Sequence, residues 1–157
     1  MRVTALLIPL ALAALLAACS SGPAPRRAIV YPPLSTEQSS GIAFHALGLV
    51  GTPYRYGGNT PAGGFDCSGL IGYVYRTQAG LVPPRTVADL SDFGTPVDTD
   101  ELRTGDLVIF GRGRPTHAGI YVGEGRFVHA PSTGGEVRLD RLGSAYWSRQ
   151  PTAFRRP

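Results

Sequence analysis

The 157-residue sequence contains no lysine, and all fifteen of its basic residues are arginine. Chemistry that begins with a lysine Schiff base is therefore excluded. Cysteine is scarce, with two in the chain. No CxxC or HxxxH pair occurs, so the spacings of the common zinc sites are missing. The net charge of +4 suits acidic surfaces or polymers. The arginines are scattered, however, and no basic stripe is interleaved with aromatics, so nucleic acid is not an expected partner. No internal repeat is present.

What is there, 43% hydrophobic and 17% charged residues, fits one modest globular domain with accessories. Arg2 precedes an apolar run from about Ala5 to Ala18, too short to span a membrane stably and ending in small residues, as an export signal does. Leu16-Ala17-Ala18-Cys19 resembles the lipobox of bacterial lipoproteins. That resemblance implies a lipoprotein signal peptide over 1–18, cleavage before Cys19 and lipid attachment to Cys19; an ordinary signal peptide with a chance cysteine is the alternative. Multiple acyl chains give durable anchoring. The expected location is the cell envelope, with Ser20 pointing to an outer membrane facing the periplasm if the cell has two membranes. Residues 19–40, rich in Ser, Gly, Pro and Arg, read as a flexible lipidated linker. The domain is expected over 41–157.

If Cys19 carries lipid, Cys67 is the remaining thiol of the mature chain. It follows the glycine-rich Gly63-Gly64-Phe65-Asp66, and Leu70, Ile71 and Val74 fall at i+3, i+4 and i+7 from it, so Cys67 heads the inward face of a helix. At a helix start the free N–H groups and the dipole favour a thiolate nucleophile. The alternative is a small buried hydrophobe. An earlier helix spans Ile42 to about Val50, stopped by Gly51 and Pro53, with His45 structural or at the surface. Thr86 caps a short helix through about Ser91. Beyond it, 106–110, 117–122, 126–130 and 136–140 read as antiparallel strands, which makes the class α+β with the Cys67 helix packed on the sheet.

Taking Gly123-Glu124-Gly125 as a three-residue hairpin loop pairs Val122 with Arg126, Ile120 with Val128 and Gly119 with His129. His117 and His129 then share one face as diagonal neighbours roughly 7–8 Å apart. Gly119 leaves space opposite His129, and Ala118, Ile120, Val122, Val128 and Ala130 share the other face. A two-residue loop would separate the histidines. Cys67 with one histidine as base and the other as its orienter has the logic of a nucleophile triad. Spacing does not say which histidine is which. A zinc site on Cys67, His117 and His129 is the competing chemistry.

Asp66-Cys67-Ser68-Gly69 after Pro53-Tyr54-Arg55-Tyr56-Gly57-Gly58, then Gly105-Asp106-Leu107-Val108-Ile109-Phe110, His117-Ala118-Gly119-Ile120-Tyr121-Val122-Gly123 and Phe127-Val128-His129-Ala130, closely resembles the NlpC family of cell-wall cysteine peptidases. The resemblance covers about Ile42 to Arg156. It implies a papain-like fold and hydrolysis of peptide bonds in peptidoglycan stem peptides or crosslinks, at D-glutamate, D-alanine or meso-diaminopimelate, through a thioester. Cys67 resembles the nucleophile, His117 the base and His129 the third polar residue. Tyr54 matches the tyrosine that assists at the oxyanion; Asp66, Ser68 and Arg85 match positions that bind substrate peptide or flank the cleft. Asp89 stands near a position where many members carry glutamine, and the loop 111–116 is locally basic, which leaves subsite preference open. No metal or cofactor is implied, and the expected partners are the stem peptides and, through the anchor, a membrane, with the protein a monomer. The rivals are a non-catalytic wall-binding lipoprotein and a related cysteine amidase or acyltransferase.

Overall fold

The computed structural model describes residues 31–132 and 135–157. The expected signal peptide 1–18, Cys19 and the linker up to residue 30 lie outside the described residues. Helix α1, Thr36–Gly48, begins before the boundary at residue 41 that composition suggested. A capping box sets its start: Ser35 Oγ accepts from the Gln38 N–H at 3.1 Å, and Gln38 Oε1 accepts from the Ser35 N–H at 2.9 Å. Tyr31 also packs edge-on against Phe93 with ring centroids 5.0 Å apart. The linker expected over 19–40 therefore cannot run to its far end: residues that look like tether by composition are here a cap, a first helical turn and a core contact.

A short hairpin of β1 (Asn59–Thr60) and β2 (Gly64–Phe65) leads into α2 (Cys67–Ala79). Asp66 caps α2, and Gly80, in the left-handed region at φ 67°, ends it. Helix α3 (Val87–Leu90) follows, capped by Thr86, whose Oγ1 accepts from the Asp89 N–H. The main sheet comprises β3 (Thr95–Val97), β4 (Leu107–Phe110), β5 (His117–Gly123), β6 (Arg126–His129), β7 (Arg138–Arg141) and β8 (Thr152–Arg156). It is antiparallel throughout, with strand order β3-β8-β4-β5-β6-β7. Strands β3 and β8 escaped the sequence reading because Thr-Pro-Val and Thr-Ala-Phe-Arg-Arg lack clean apolar alternation.

Alternation puts Leu107, Ile109, Ala118, Ile120 and Val128 in one core with Leu70, Ile71, Val74 and Tyr75 of α2. Each of these buried Leu, Ile and Val side chains contributes about 1.5–3 kcal/mol. The other face carries Val108, Phe110 and Phe127 in a second cluster capped by Trp147. Tyr75, fully buried, donates its hydroxyl to the Gly105 carbonyl, tying α2 to the turn before β4. Asp106, also buried, accepts from Arg156 Nε at 2.9 Å and so ties that turn to β8.

The β5–β6 hairpin reaches the expected register by a different route. Gly119 pairs with His129 and Ile120 with Val128, but Arg126 pairs with Gly123, and the register shifts between Tyr121 and Gly123. Glu124 and Gly125, at φ 51° and 67°, form a two-residue turn. The extra residue is a bulge at Val122, which restores the face that a two-residue loop alone would have reversed. The space expected over Gly119 is filled: a Cβ there would press on Phe127 and His129.

Candidate active site

Cys67 is the first residue of α2 and is half-buried. The loop before it is locked by Asp66, whose Oδ1 accepts from the Gly69 N–H at 2.7 Å and whose Oδ2 accepts from the Gly57 N–H at 2.9 Å. Arg85 grips the same carboxylate at both oxygens, with Nη1 2.6 Å from Oδ1 and Nη2 3.0 Å from Oδ2. Ser68 accepts from Arg85 Nη1 at 2.6 Å and donates to the Arg85 carbonyl at 2.7 Å. Burial alone would raise the Asp66 pKa, but Arg85 and the two amides hold it below the ordinary carboxylate value. Asp66, Ser68 and Arg85 are thus brought together as a clamp on the start of α2. Gly69 is required there, because a Cβ would overlap the Gly58 carbonyl oxygen.

The clamp has an electrostatic consequence for the thiol. Burial pushes the Cys67 pKa up, and the adjacent Asp66 carboxylate pushes in the same direction. The backbone N–H groups of Ser68, Ala118 and Cys67 oppose this and offset only part of it. The expectation of a thiol acidified by the helix start is therefore reversed, first by burial and then by the capping carboxylate that occupies the positive end of α2. Tyr54 is held in the preceding loop by its N–H donating to the Gly135 carbonyl at 2.6 Å. Burial raises its hydroxyl pKa, and so do the charges of Asp66 and Cys67.

Across from α2, His117 at the start of β5 and His129 at the end of β6 meet, with His117 Nε2 2.8 Å from His129 Nδ1. His129 Nε2 in turn lies 3.0 Å from Asp140 Oδ2 on β7. His129 is fully buried. Trp147 covers the pair, stacked on His117 with ring centroids 5.6 Å apart and edge-on to His129 at 5.2 Å. Its indole N–H donates to Asp140 Oδ2 at 2.8 Å, and Arg138 Nε and Nη2 donate to the same oxygen at 3.2 and 2.9 Å. Burial and the neighbouring His129 push the His117 pKa down to about 3. Burial likewise lowers His129 to about 4, against the pull of Asp140. Asp140 stays below the ordinary carboxylate value, because Trp147, His129 and Arg138 outweigh its burial.

These protonation states fix the tautomers. Ionised Asp140 can only accept, so His129 donates from Nε2 and presents the Nδ1 lone pair to His117. His117 then donates from Nε2, and its Nδ1 is left as the basic nitrogen. Both ring nitrogens of His129 are engaged, whereas a zinc site on Cys67, His117 and His129 needs one of them free. Among the described residues Cys67 makes no side-chain hydrogen bond to His117. Sequence reasoning missed Asp140 and Trp147. The available signals were the Arg138-x-Asp140 spacing, which puts both side chains on one face of β7, and the sole tryptophan of the chain.

A cleft of about 460 Å³ opens beside His117 and Trp147, also lined by Arg138, Tyr146, Ser132 and Gln150.

Residues 51–156 match the NlpC/P60 family. The chain is 42% identical over 112 residues to the murein DD-endopeptidase MepH of Escherichia coli strain K12, covering 68% of this chain and 41% of that protein. It is 40% identical over 110 residues to the gamma-DL-glutamyl hydrolase of Bacillus subtilis strain 168, covering 68% of this chain and 26% of that one. It thus spans less than half the length of these relatives. A solved NlpC/P60 family protein from Bacillus cereus ATCC 10987 superposes with a TM-score of 0.71 at 28% identity, over 80% of this chain and 41% of that one. The α+β, papain-like class expected from the sequence agrees with that superposition. Because the family match runs from the loop before the Cys67 helix to the last strand, and the architecture is that of a solved member, the chain belongs to the NlpC/P60 family.

Proposed function

We propose that the chain is a cysteine endopeptidase that hydrolyses peptide bonds in peptidoglycan stem peptides or their crosslinks, with Cys67 as nucleophile, His117 as base and His129 as the group that orients it. The observation that carries this reading is the relay from Asp140 through His129, which leaves a basic nitrogen on His117. The resting pair is a neutral thiol and a neutral imidazole. When a peptide enters, His117 Nδ1 takes the Cys67 proton and the sulfur attacks the scissile carbonyl carbon. The N–H groups at the start of α2 and the Tyr54 hydroxyl stabilise the oxyanion. The C–N bond breaks as His117 returns the proton to the departing amine. Water then attacks the thioester, giving one proton to His117 and restoring the thiol. Asp66, Ser68 and Arg85 hold the start of α2 and lie outside the cleft beside His117; Arg85, its side chain 44% exposed, is the member that a peptide carboxylate can reach. The family and the murein and gamma-DL-glutamyl bonds in the relatives' names support the substrate class.

The test is digestion of purified peptidoglycan with the full chain and with Cys67→Ala, followed by mass spectrometry. Fragments made only by the wild type establish the activity and identify the bond; none from either folded protein overturns it in favour of a wall-binding role. We further propose that residues 1–18 are removed and that Cys19 carries the lipid. Cys19→Ala should then lose the acyl mass and the membrane association of the wild type, and an unchanged intact mass would rule lipidation out.

A further inference from the structure

We propose that the cleft beside His117 is a carboxylate-binding subsite for the residue that departs as the amine, with Arg138 as its anion-binding group. The assignment rests on the peptidase reading above, which gives the cleft its direction. The acyl half of the substrate is bonded to Cys67 and lies toward Tyr54 and the start of α2. The amine nitrogen receives its proton from the same His117 Nδ1 that serves the thiol, so the rest of the departing residue extends past that imidazole, opposite in direction to the acyl half. The cleft lies against His117 and Trp147, and none of Cys67, Asp66, Ser68 or Arg85 lines it.

Its chemistry is one-sided. Among the described lining residues, Arg138 is the only one besides His117 that can carry a positive charge, and none carries a carboxylate. Arg138 uses Nε and one Nη2 hydrogen on Asp140 Oδ2, which leaves three of the five guanidinium N–H donors for a ligand. The Asp140 charge is shared with His129 and Trp147, so it does not cancel the cation facing the cleft. Side chains of Ser132 and Gln150 supply further hydrogen-bonding groups, and the Trp147 and Tyr146 rings supply an apolar wall. Arg112 and Arg114 lie in the exposed loop between the lining residues Gly111 and Thr116, and add positive charge at the rim. A guanidinium on an aromatic wall suits a small residue whose carboxylate stands on the carbon bearing the released nitrogen.

The experiment uses two stem-type peptides that differ only in the departing residue, which carries either a free carboxylate or a carboxamide. With the full chain, kcat/KM should favour the carboxylate form by about tenfold or more, mainly through KM. Arg138→Gln should bring the ratio to near one, whatever it does to the absolute rates, and Arg138→Lys should restore part of it. Binding is read separately on Cys67→Ala through Trp147, the sole tryptophan, with and without Arg138→Gln. Tighter binding of the carboxylate peptide that disappears with Arg138→Gln supports the subsite even if neither peptide is cut, and in that case it is the peptidase reading that fails. Cleavage with an unchanged carboxylate preference in Arg138→Gln, or equal binding of both peptides, overturns the subsite and leaves the peptidase intact.

Discussion

His129 has no freedom to choose its tautomer, since an ionised carboxylate sits on one ring nitrogen and a second imidazole on the other. In Asp140→Asn the donor-only Trp147 and Arg138 hold the amide oxygen at the Oδ2 position, so His129 keeps its proton on Nε2 but loses the negative charge that stabilises the imidazole pair when His117 takes the thiol proton. We expect kcat to fall by about 10²-fold with little change in KM, and NMR of the ring nitrogens to show the His129 proton still on Nε2; near-wild-type kcat would remove the Asp140 charge from the relay. His129→Ala should impair turnover less than His117→Ala, because His129 acts through its neighbour. With the His117 pKa pushed down to about 3, the base is already unprotonated at pH 5. The kcat/KM profile should therefore show no acid limb near the ordinary histidine value of about 6.5, and a limb centred there would contradict the burial that lowers it. For the thiol the sign is opposite. Asp66→Asn removes the charge that raises Cys67, so alkylation at pH 7 should be faster than in the wild type.

At the scale of elements, the start of α2 is constrained from several directions at once. The Asp66 cap, the Arg85 grip and the contact between Gly58 and Gly69 converge within one helical turn of Cys67. Gly69→Ala should shift the whole loop by forcing the Gly58 carbonyl away, and a cost of about 1–3 kcal/mol is expected from overpacking. Urea denaturation would measure it, and an unchanged midpoint would show that the loop yields freely. Removing the cap with Asp66→Ala should cost about 0.5–2 kcal/mol, and the now unpaired Arg85 adds to that. The β5–β6 hairpin has a complementary role. Its bulge keeps His117 and His129 on the face covered by Trp147 while Ala118 and Ile120 stay in the helix-packed core.

For the molecule as a whole, the two low-pKa histidines set a direction for stability against pH. Their folded values, about 3 and about 4, lie below the unfolded value of about 6.5. Above about pH 6.5 neither state binds the proton and they contribute nothing. Below it the unfolded chain binds protons that the native state refuses, so each histidine costs at most about 1.4 kcal/mol per pH unit until its folded pKa is reached. Asp66 and Asp140, depressed in the fold, add stability above their unfolded pKa that is lost as pH falls through their folded values. Urea midpoints should be flat from pH 8 to 7 and fall steadily from about 6 to 4; a midpoint constant down to pH 4.5 would contradict this. The sequence by itself determined the helix headed by Cys67, the strands that carry the two histidines and the α+β class, because periodicity and turn chemistry are local and leave their mark in consecutive residues. It misread residues 36–40 as tether, since a capping box is built from the same small polar residues as a linker. Only the tertiary structure decided that Asp140 stands behind His129, that Trp147 covers both rings, that burial and Asp66 raise the Cys67 pKa against the helix start and that Arg138 faces a cleft. Those outcomes depend on which strand lies beside which and on how completely water is excluded between them, and neither is written in the order of neighbouring residues.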